Sequence, residues 1–148
     1  MGPGEHIGQN DELITEIILP ARPKQAGSSF IKLGRRKALI LAIAAVAAYV
    51  ELDESANIKE ARIALGSLAP TPCRGYQAER VLKGAAVSFE VFEAAGQAVL
   101  ADISPIDDLR AGSHYRKSVT PILVRRALIS AAMREGAIVL NESRSTYR

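Results

Sequence analysis

The residues with the most evident chemical potential lie together near residue 110. Asp107 and Asp108 are adjacent, and Arg110 follows shortly after them. Paired carboxylates can bind a divalent cation or exchange protons with a substrate. In a loop just before a helix, carboxylates more often cap the helix or pair with arginine. The structural role is therefore the one we expect here.

The other reactive residue types do not form a recognisable site. The chain has one cysteine, Cys73, and two histidines, His6 and His114, with no CxxC or HxxxH spacing. Neither a structural zinc site nor an iron–sulfur cluster held by this chain alone is expected. Arg74 could lower the pKa of the Cys73 thiol, but without a histidine partner a catalytic thiol is not expected. The phosphate-binding patterns GxGxxG and GxxxxGK[ST] and the nucleophile pattern GxSxG do not occur.

The composition is that of one globular domain. The 148 residues include 48% hydrophobic and 24% charged residues, with a net charge of +3. These values exclude a collagen, a mucin stalk, an acidic tail and a disulfide scaffold. Residues 28–37 and 115–148 are basic, but aromatic residues make up only 5% and tryptophan is absent. We therefore expect basic surfaces that meet solvent or a protein partner, and no nucleic-acid binding.

Neither a membrane span nor a signal peptide is predicted. The longest apolar run, Ala38–Val50, has 13 residues, whereas a membrane-spanning helix needs about 20. The start of the chain lacks a basic stretch followed by an apolar one. A lone cysteine suits a reducing compartment. The sequence therefore predicts a cytoplasmic protein.

The first third of the chain combines a strand-like segment with a connector. Leu13–Leu19 is a short apolar run with β-branched residues and ends at Pro20, which is typical of a strand. Residues 21–29 are rich in turn formers. The basic cluster within Phe30–Leu41 is compatible with a short helix of good helix formers, so this segment stays ambiguous.

An antiparallel hairpin is predicted at the centre of the chain. Ile43–Leu52 and Ile58–Leu68 alternate in polarity around turn residues 53–57, although the alanine content of the first segment also permits a helix. The alternation assigns residues to two faces: Tyr49 and Glu51 against Val46, Val50 and Leu52 in the first segment, and Lys59, Ala61, Ile63 and Leu65 against Ile58, Glu60, Arg62 and Ala64 in the second.

The second half of the chain is predicted to be helical. Gly84 ends a first helix, Ser88 caps a second, and Pro121 predicts a kink or a late start in a third. Because strands come first and helices last, the order favours an α+β sandwich, a three- to four-stranded antiparallel sheet with about three helices on one face. The predicted helices cover Gln77–Leu82, Ser88–Asp102 and His114–Glu135, and the core candidates of the last are Ile122, Leu123, Leu128, Ile129 and Met133.

Four groups of residues, taken in order, carry a resemblance to a known family. They are Ala61–Gly66 with Ala69–Pro72; Ala78 and Glu79 with Leu82 and Gly84; Pro105 and Ile106 with Asp108, Arg110, Tyr115 and Arg116; and Leu123 and Val124 with Arg126–Leu128. Their order and spacing resemble the C-terminal domain of the FAD-binding (medium) subunit of molybdenum hydroxylases, which include carbon monoxide dehydrogenase and xanthine dehydrogenase. The resemblance covers about Phe30 to Ala131. Gly2–Gly4, Asp11–Ile17 and Pro20 also resemble the last strand of that family's FAD domain.

The resemblance implies a division of the chain into three parts. Residues 1–27 would be the end of the FAD-binding domain with its connector, residues 28–136 an α+β C-terminal domain, and residues 137–148 a flexible tail. The loops that grip the FAD pyrophosphate would lie in an upstream domain, so that domain would hold most of the FAD.

The resemblance also implies partners and a role. Iron–sulfur clusters would lie on a second subunit and the molybdenum cofactor on a third, and FAD would pass electrons from the clusters to an acceptor. This chain would then be a component of an oxidoreductase, inactive by itself. The alternative is a non-catalytic assembly or interaction domain that reuses the same fold.

The candidate site residues come from the same resemblance. Ile14 would lie in a strand whose backbone flanks the cofactor, and Lys32 would occupy a position from which a lysine can reach FAD. A solvated lysine beside other basic residues is the alternative for Lys32. Relatives often carry an aspartate soon after the basic cluster, where this chain has Ile40.

A second set of residues would serve structure or assembly. Asp108, Arg110, Tyr115 and Arg116 are expected to fasten their loop to the last helix or to a partner subunit, because arginine offers a planar fork to a carboxylate.

Overall fold

A computed structural model describes residues 8–9, 11–35 and 41–133 of the chain. Four antiparallel strands form one sheet in chain order, and three helices follow. The predicted α+β class is confirmed. The elements are β1 (Ala26–Leu33), β2 (Ala44–Leu52), β3 (Ile58–Gly66), β4 (Cys73–Arg74), α1 (Tyr76–Leu82), α2 (Phe89–Ala98), a 3₁₀ turn (Val99–Asp102) and α3 (Ser113–Met133).

The predicted hairpin forms the centre of the sheet. β2 pairs with β3 so that Val46 lies opposite Leu65 and Tyr49 lies opposite Arg62. Alanine is not a favoured strand residue, but β2 buries every second side chain against the helices, so packing decides the outcome. The helix that the alanines also permitted does not form.

A bulge changes the predicted faces of β3. The register shifts between Glu51 and Leu52, so that Glu51 lies opposite Glu60 while Leu52 lies opposite Ile58. An extra residue in one strand reverses the alternation on one side of it. Ile58 is consequently buried on the same side as Ala61, and Lys59 is exposed. The prediction that Ile58 shares a face with Arg62 is therefore wrong.

The segment around Phe30 is a strand rather than a helix. β1 pairs with β2 from Ala26 to Leu33. Pairing over eight residues stabilises the strand more than the weak helix propensity of the segment stabilises a helix. The expected departure at Ile40 lies outside the described residues. So do Gly2–Gly4 and the predicted tail, residues 137–148.

The strand predicted over Leu13–Leu19 does not form within the described residues. The segment is extended but unpaired, and its large apolar side chains are 80–85% exposed. A strand needs a ladder partner and an apolar face to cover it. The described part of the chain supplies neither to the segment.

All three helices lie on one side of the sheet. α3 packs on β1 and β2, α1 packs on β3, and α2 contacts both α1 and α3. The Ser29 hydroxyl of β1 donates a hydrogen bond to the Ala127 carbonyl of α3 over 2.7 Å. The predicted cap of α2 is confirmed, since the Val91 amide donates to the Ser88 hydroxyl over 3.2 Å.

The long helix α3 buries a wider set of residues than predicted. Pro121 lies inside it and is itself buried. Leu123 and Leu128 are in the core as predicted, whereas Ile122 and Met133 are exposed. α3 contacts the sheet on one side and α2 on another, so a single apolar stripe does not describe its buried surface.

Candidate functional site

Lys32 lies on the face of the sheet that the helices leave uncovered. Alternation along β1 directs Ser29 toward α3 and leaves Ser28, Phe30 and Lys32 exposed. Phe30 is 66% exposed despite its large apolar ring. We call the uncovered side of β1 to β4 the outer face.

The outer face contains a shallow trough beside Phe30. Small side chains form its floor, because Ala47 of β2 lies opposite both Phe30 of β1 and Ala64 of β3. The cavity has a volume of about 520 Å³. Its lining includes Ser28, Phe30, Ala47, Tyr49, Arg62, Ala64 and Arg74.

A hydrogen-bonded network borders the trough. The Tyr49 hydroxyl donates to Glu51 over 3.0 Å, and the Lys59 ammonium donates to the other Glu51 oxygen over 2.6 Å. Burial and the hydrogen bond to Glu51 raise the pKa of Tyr49, and hydrogen bonds from Lys59 and Tyr49 lower the pKa of Glu51. The Arg62 guanidinium lies 5.9 Å from the Tyr49 ring centre and pairs with Glu60 over 2.7 Å. Each carboxylate of this network thus has a cation beside it.

Ile14 is not positioned by the described part of the chain. Its side chain is 85% exposed, so neither the sheet nor Lys32 covers it. The structure therefore does not bring the two expected cofactor contacts together in one packed site.

Asp108 is the centre of a second cluster. Its carboxylate accepts hydrogen bonds from the amides of Arg110 and Ala111 and from the side chains of Arg110 and Arg116. Burial alone would raise the pKa of Asp108, but hydrogen bonds from these two amides and two arginine side chains hold that pKa well below its usual range. Asp108 is thus a charged structural anchor at neutral pH, rather than a proton-transfer group.

Arg116 connects this cluster to the sheet. Its buried guanidinium donates to the carbonyl oxygens of Ile43 over 2.6 Å and Ser67 over 2.7 Å, and to Asp108 over 2.7 Å. Ile43 precedes β2 and Ser67 follows β3. One side chain therefore fastens the start of α3 to the ends of two central strands.

The other members of the set have different surroundings. Asp107 accepts a hydrogen bond from the Ser113 amide at the start of α3, which is the capping role expected for this pair. Tyr115 is half exposed and does not join the ion pairs of Asp108. Arg110 is also partly exposed, so Tyr115 and Arg110 are the members of the set that a partner could reach.

The sequence analysis did not indicate the structural role of Arg35. It donates to the carbonyl oxygens of Leu109 over 2.7 Å and Arg110 over 3.2 Å. Backbone carbonyls carry no sequence signature, so this contact has no signal in the sequence. Phe30, Tyr49 and Arg62 lie in β1, β2 and β3, and alternation within each strand, together with the strand pairing, would have indicated a shared outward face.

Two classes of site are not found among the residues that the structure describes. No group of three or more His, Cys, Asp or Glu side chains is placed to hold a metal ion there. Within the same residues, no helix is long and apolar enough to cross a membrane.

Comparison with known proteins identifies the family. The model of the CO dehydrogenase flavoprotein C-terminal domain matches residues 29–131. The chain belongs to this family.

Curated members of the CO dehydrogenase flavoprotein family share about a third of their aligned residues with the chain. The xanthine dehydrogenase FAD-binding subunit of Escherichia coli O157:H7 is 30% identical over 136 residues, which cover 91% of this chain and 46% of that protein. The nicotine 6-hydroxylase medium subunit of Paenarthrobacter nicotinovorans is 33% identical, with 84% of this chain and 42% of that protein covered. The chain thus spans less than half the length of these relatives.

Two solved structures share the fold. Carbon monoxide dehydrogenase from Hydrogenophaga pseudoflava superposes with a TM-score of 0.73 and 33% identity, covering 78% of this chain and 40% of that chain. Quinoline 2-oxidoreductase from Pseudomonas putida 86 superposes with a TM-score of 0.68 at 22% identity, which supports the fold alone. The α+β sandwich is therefore a fold that this chain shares with these proteins.

Proposed function

We propose that this chain is the C-terminal portion of the FAD-binding subunit of a molybdenum hydroxylase-type oxidoreductase. It would support electron transfer through FAD from iron–sulfur clusters on a second subunit to an acceptor, in a complex whose molybdenum cofactor lies on a third. The family match over residues 29–131 is the observation that carries the proposal. The names of the relatives, which are FAD-binding or medium subunits, favour it over an unrelated assembly domain.

The division of labour within the subunit is part of the proposal. Residues 1–27 would complete an upstream FAD-binding domain, residues 28–136 would form the accessory domain, and residues 137–148 would be a tail. The sequence contains no glycine-rich phosphate loop. A chain that spans less than half of its relatives would thus hold FAD mainly through an upstream domain, in a cytoplasmic complex.

Lys32 suits an accessory contact to FAD. It is exposed on the outer face, two residues from the exposed ring of Phe30. A lysine offers three donors and a positive charge to a phosphate or to an anionic flavin. FAD would supply the redox chemistry, and this chain would contribute binding and charge. Ile14 would contribute its backbone when the upstream domain pairs with Leu13–Leu19.

The first test measures flavin binding by the full chain alone and by a joined protein. In the joined protein, the upstream part of the E. coli O157:H7 FAD-binding subunit precedes residue 11 of this chain. We expect the chain alone to show no saturable change in visible flavin absorption, and the joined protein to be yellow. A joined protein that is folded and colourless at saturating FAD would overturn the proposed function.

The second test concerns Lys32. In the joined protein, Lys32→Gln should weaken FAD binding by about tenfold, the equivalent of one charge-assisted hydrogen bond. Lys83→Gln is the matched control, because Lys83 is an exposed lysine at the end of α1. Equal effects of the two substitutions would remove Lys32 from the site while leaving the proposed function in place.

The partner role of the Asp108 cluster is a separate part of the proposal. Asp108 and Arg116 hold the loop in shape, and the exposed side chains of Arg110 and Tyr115 would contact a partner subunit. Tyr115→Ser and Arg110→Ser should then weaken assembly with the iron–sulfur or molybdenum subunit. The loss of stability in Arg110→Ser should be small, because its ion pair with Asp108 is partly exposed.

A further inference from the structure

The edge of β3 that faces away from β2 is covered at two places by other parts of the chain. The Ile63 amide donates to the Glu79 carboxylate over 2.8 Å, and the Ile63 carbonyl accepts from the Gly75 amide over 2.9 Å. Ile58 exchanges hydrogen bonds of 2.9 and 2.7 Å with the backbone of residues 84–85. These contacts leave a short gap in the middle of the edge, beside α1.

Ala61 lies in this gap with its backbone polar groups directed outward. In an antiparallel pair, the N–H and C=O groups of alternate residues point toward the partner strand and away from it. The pairing of β3 with β2 is regular from Gly66 to Glu60, so Ala61 points the same way as Ile63. Among the residues that the structure describes, none forms a hydrogen bond with Ala61 on this side. Its amide and carbonyl are therefore an unused donor and an unused acceptor at a strand edge.

The gap opens into a pocket between β3 and α1 with a volume of about 410 Å³. Two carboxylates line it, and both are already engaged by arginines. Glu60 pairs with Arg62 over 2.7 Å, and Glu79 accepts two hydrogen bonds of 2.8 Å from Arg74. Neither carboxylate is thus left over for a further cation of the pocket.

Arg80 is such a further cation. It is an exposed residue of α1 and lines the pocket. Within the described part of the chain, its guanidinium has the neutral side chain of Gln77 as a hydrogen-bond partner, over 3.2 Å, and no carboxylate. The pocket therefore offers uncompensated positive charge beside the open backbone of Ala61.

The unused groups indicate the class of ligand. An ionised carboxylate offers only acceptors, which suits Arg80 and the Ala61 amide but leaves the Ala61 carbonyl without a donor. An extended peptide offers both an N–H and a C=O to the same residue, as in the addition of a strand to a sheet edge. The Tyr76 ring is 57% exposed at this pocket, with the Arg74 guanidinium 5.3 Å from its centre. Exposed aromatic and arginine side chains are enriched in protein interfaces.

We propose that the pocket between β3 and α1 binds an extended acidic segment of a partner protein. The backbone of the segment exchanges hydrogen bonds with Ala61, and one of its carboxylates pairs with Arg80. This inference goes beyond the proposed function, since it requires neither FAD nor an upstream domain.

The test follows the Ala61 amide of the full chain, labelled with nitrogen-15, by NMR. In the free chain, the Ala61 amide should exchange with solvent faster than the Arg62 amide, which by the same alternation points toward β2. The probes are a capped tetraglutamate peptide, a capped tetraglutamine peptide and citrate. Tetraglutamate should move the Ala61 amide proton downfield to saturation and slow its exchange. Tetraglutamine and citrate should each bind at least fivefold more weakly, because the first lacks the charge and the second lacks the backbone.

Two substitutions of equal charge separate this pocket from a general attraction between a basic chain and an acidic peptide. Arg80→Gln should weaken tetraglutamate binding by about fivefold, the upper end for an exposed ion pair. Arg126→Gln is the matched control, because Arg126 is an exposed arginine of α3 outside the pocket, and it should change binding by less than about twofold.

Three results would overturn the inference. An Ala61 amide that neither shifts nor gains protection would show that the strand edge takes no peptide. Citrate that binds as tightly as tetraglutamate would make the pocket a site for small anions. Equal losses in Arg80→Gln and Arg126→Gln would show that the peptide responds to net charge alone.

Discussion

Replacing Arg116 by leucine tests whether one side chain holds the helices to the sheet. The substitution preserves an apolar stem but removes three hydrogen bonds of 2.6–2.7 Å, two to carbonyl oxygens and one to Asp108. Each unsatisfied buried acceptor costs about 1–3 kcal/mol, and breaking a buried ion pair costs about 3–5 kcal/mol. Asp108 keeps Arg110 and two backbone amides as partners. We therefore expect the free energy of unfolding to fall by about 3–5 kcal/mol, chiefly because the two carbonyl oxygens lose their donor.

A loss of that size is a large part of the stability of an ordinary domain, which is about 5–15 kcal/mol. Urea unfolding followed by far-UV circular dichroism measures the change. Arg116→Lys should lose less, about 2–3 kcal/mol, because one ammonium cannot reach all three acceptors as the planar fork does. Arg126→Leu is the control, because Arg126 is an exposed arginine of the same helix. If Arg116→Leu and Arg126→Leu are destabilised equally, the account of Arg116 as the connection between α3 and the strand ends is refuted.

Three further substitutions follow from the structure. Gly96→Ala should lower the free energy of unfolding by about 1–3 kcal/mol, although alanine has a higher helix propensity than glycine. The added Cβ would lie 2.7 Å from the Pro121 carbonyl oxygen, and chemical unfolding measures the change. Ala56→Gly should raise the free energy of unfolding by about 0.5 kcal/mol, because Ala56 has a φ of 60° in the hairpin turn and a left-handed conformation costs a non-glycine residue about 1–2 kcal/mol. Asp108→Asn should make the free energy of unfolding fall less steeply as the pH is lowered; this acidic part of the pH profile is called the acid limb below. The folded pKa of Asp108 is depressed, so its contribution is present above the unfolded pKa and is lost as the pH falls below about 4 toward the folded pKa.

Each of these predictions has a matched control. Gln97→Ala, at an exposed neighbour of Gly96, should change stability by less than about 0.5 kcal/mol, and a neutral Gly96→Ala would show that the two helices can separate freely. Ala94→Gly should destabilise by about 1 kcal/mol, opposite in sign to Ala56→Gly; the same sign at both positions would refute the argument from φ. The unsubstituted chain, unfolded over the same pH range, is the control for Asp108→Asn. An acid limb that persists unchanged in Asp108→Asn would show that other carboxylates dominate it.

Local patterns in the sequence were sufficient for most of the elements. Alternation located β2 and β3, and Ser88 located the start of α2. These signals depend on neighbours within a few residues, which is the range over which side-chain periodicity and capping act. The same reasoning left Phe30–Leu41 ambiguous, and Phe30–Leu33 of that segment lie in β1, where they pair with β2.

The sequence predicted the residues of the outer face only in part. Alternation grouped Tyr49 with Glu51 and Arg62 with Ala64, but the bulge at Lys59 exchanged the faces of Ile58 and Lys59. A one-residue insertion in a ladder depends on how two strands meet, and no residue type specifies it. The resemblance named Lys32 as a candidate contact, and the structure added that Phe30 and a trough of alanines lie beside it.

The sequence by itself determined the α+β order of elements, the hairpin, the helix caps and the ordered motifs that carry the family resemblance. Only the tertiary structure showed that Arg116 reaches the carbonyl oxygens of Ile43 and Ser67 and that Arg35 holds the loop at Leu109. It also showed that no described residue covers the apolar side chains of Leu13–Leu19. The physical reason is common to all three. Backbone carbonyls are the same at every position, and the exposure of an apolar segment depends on what packs against it, so neither is encoded in local residue type.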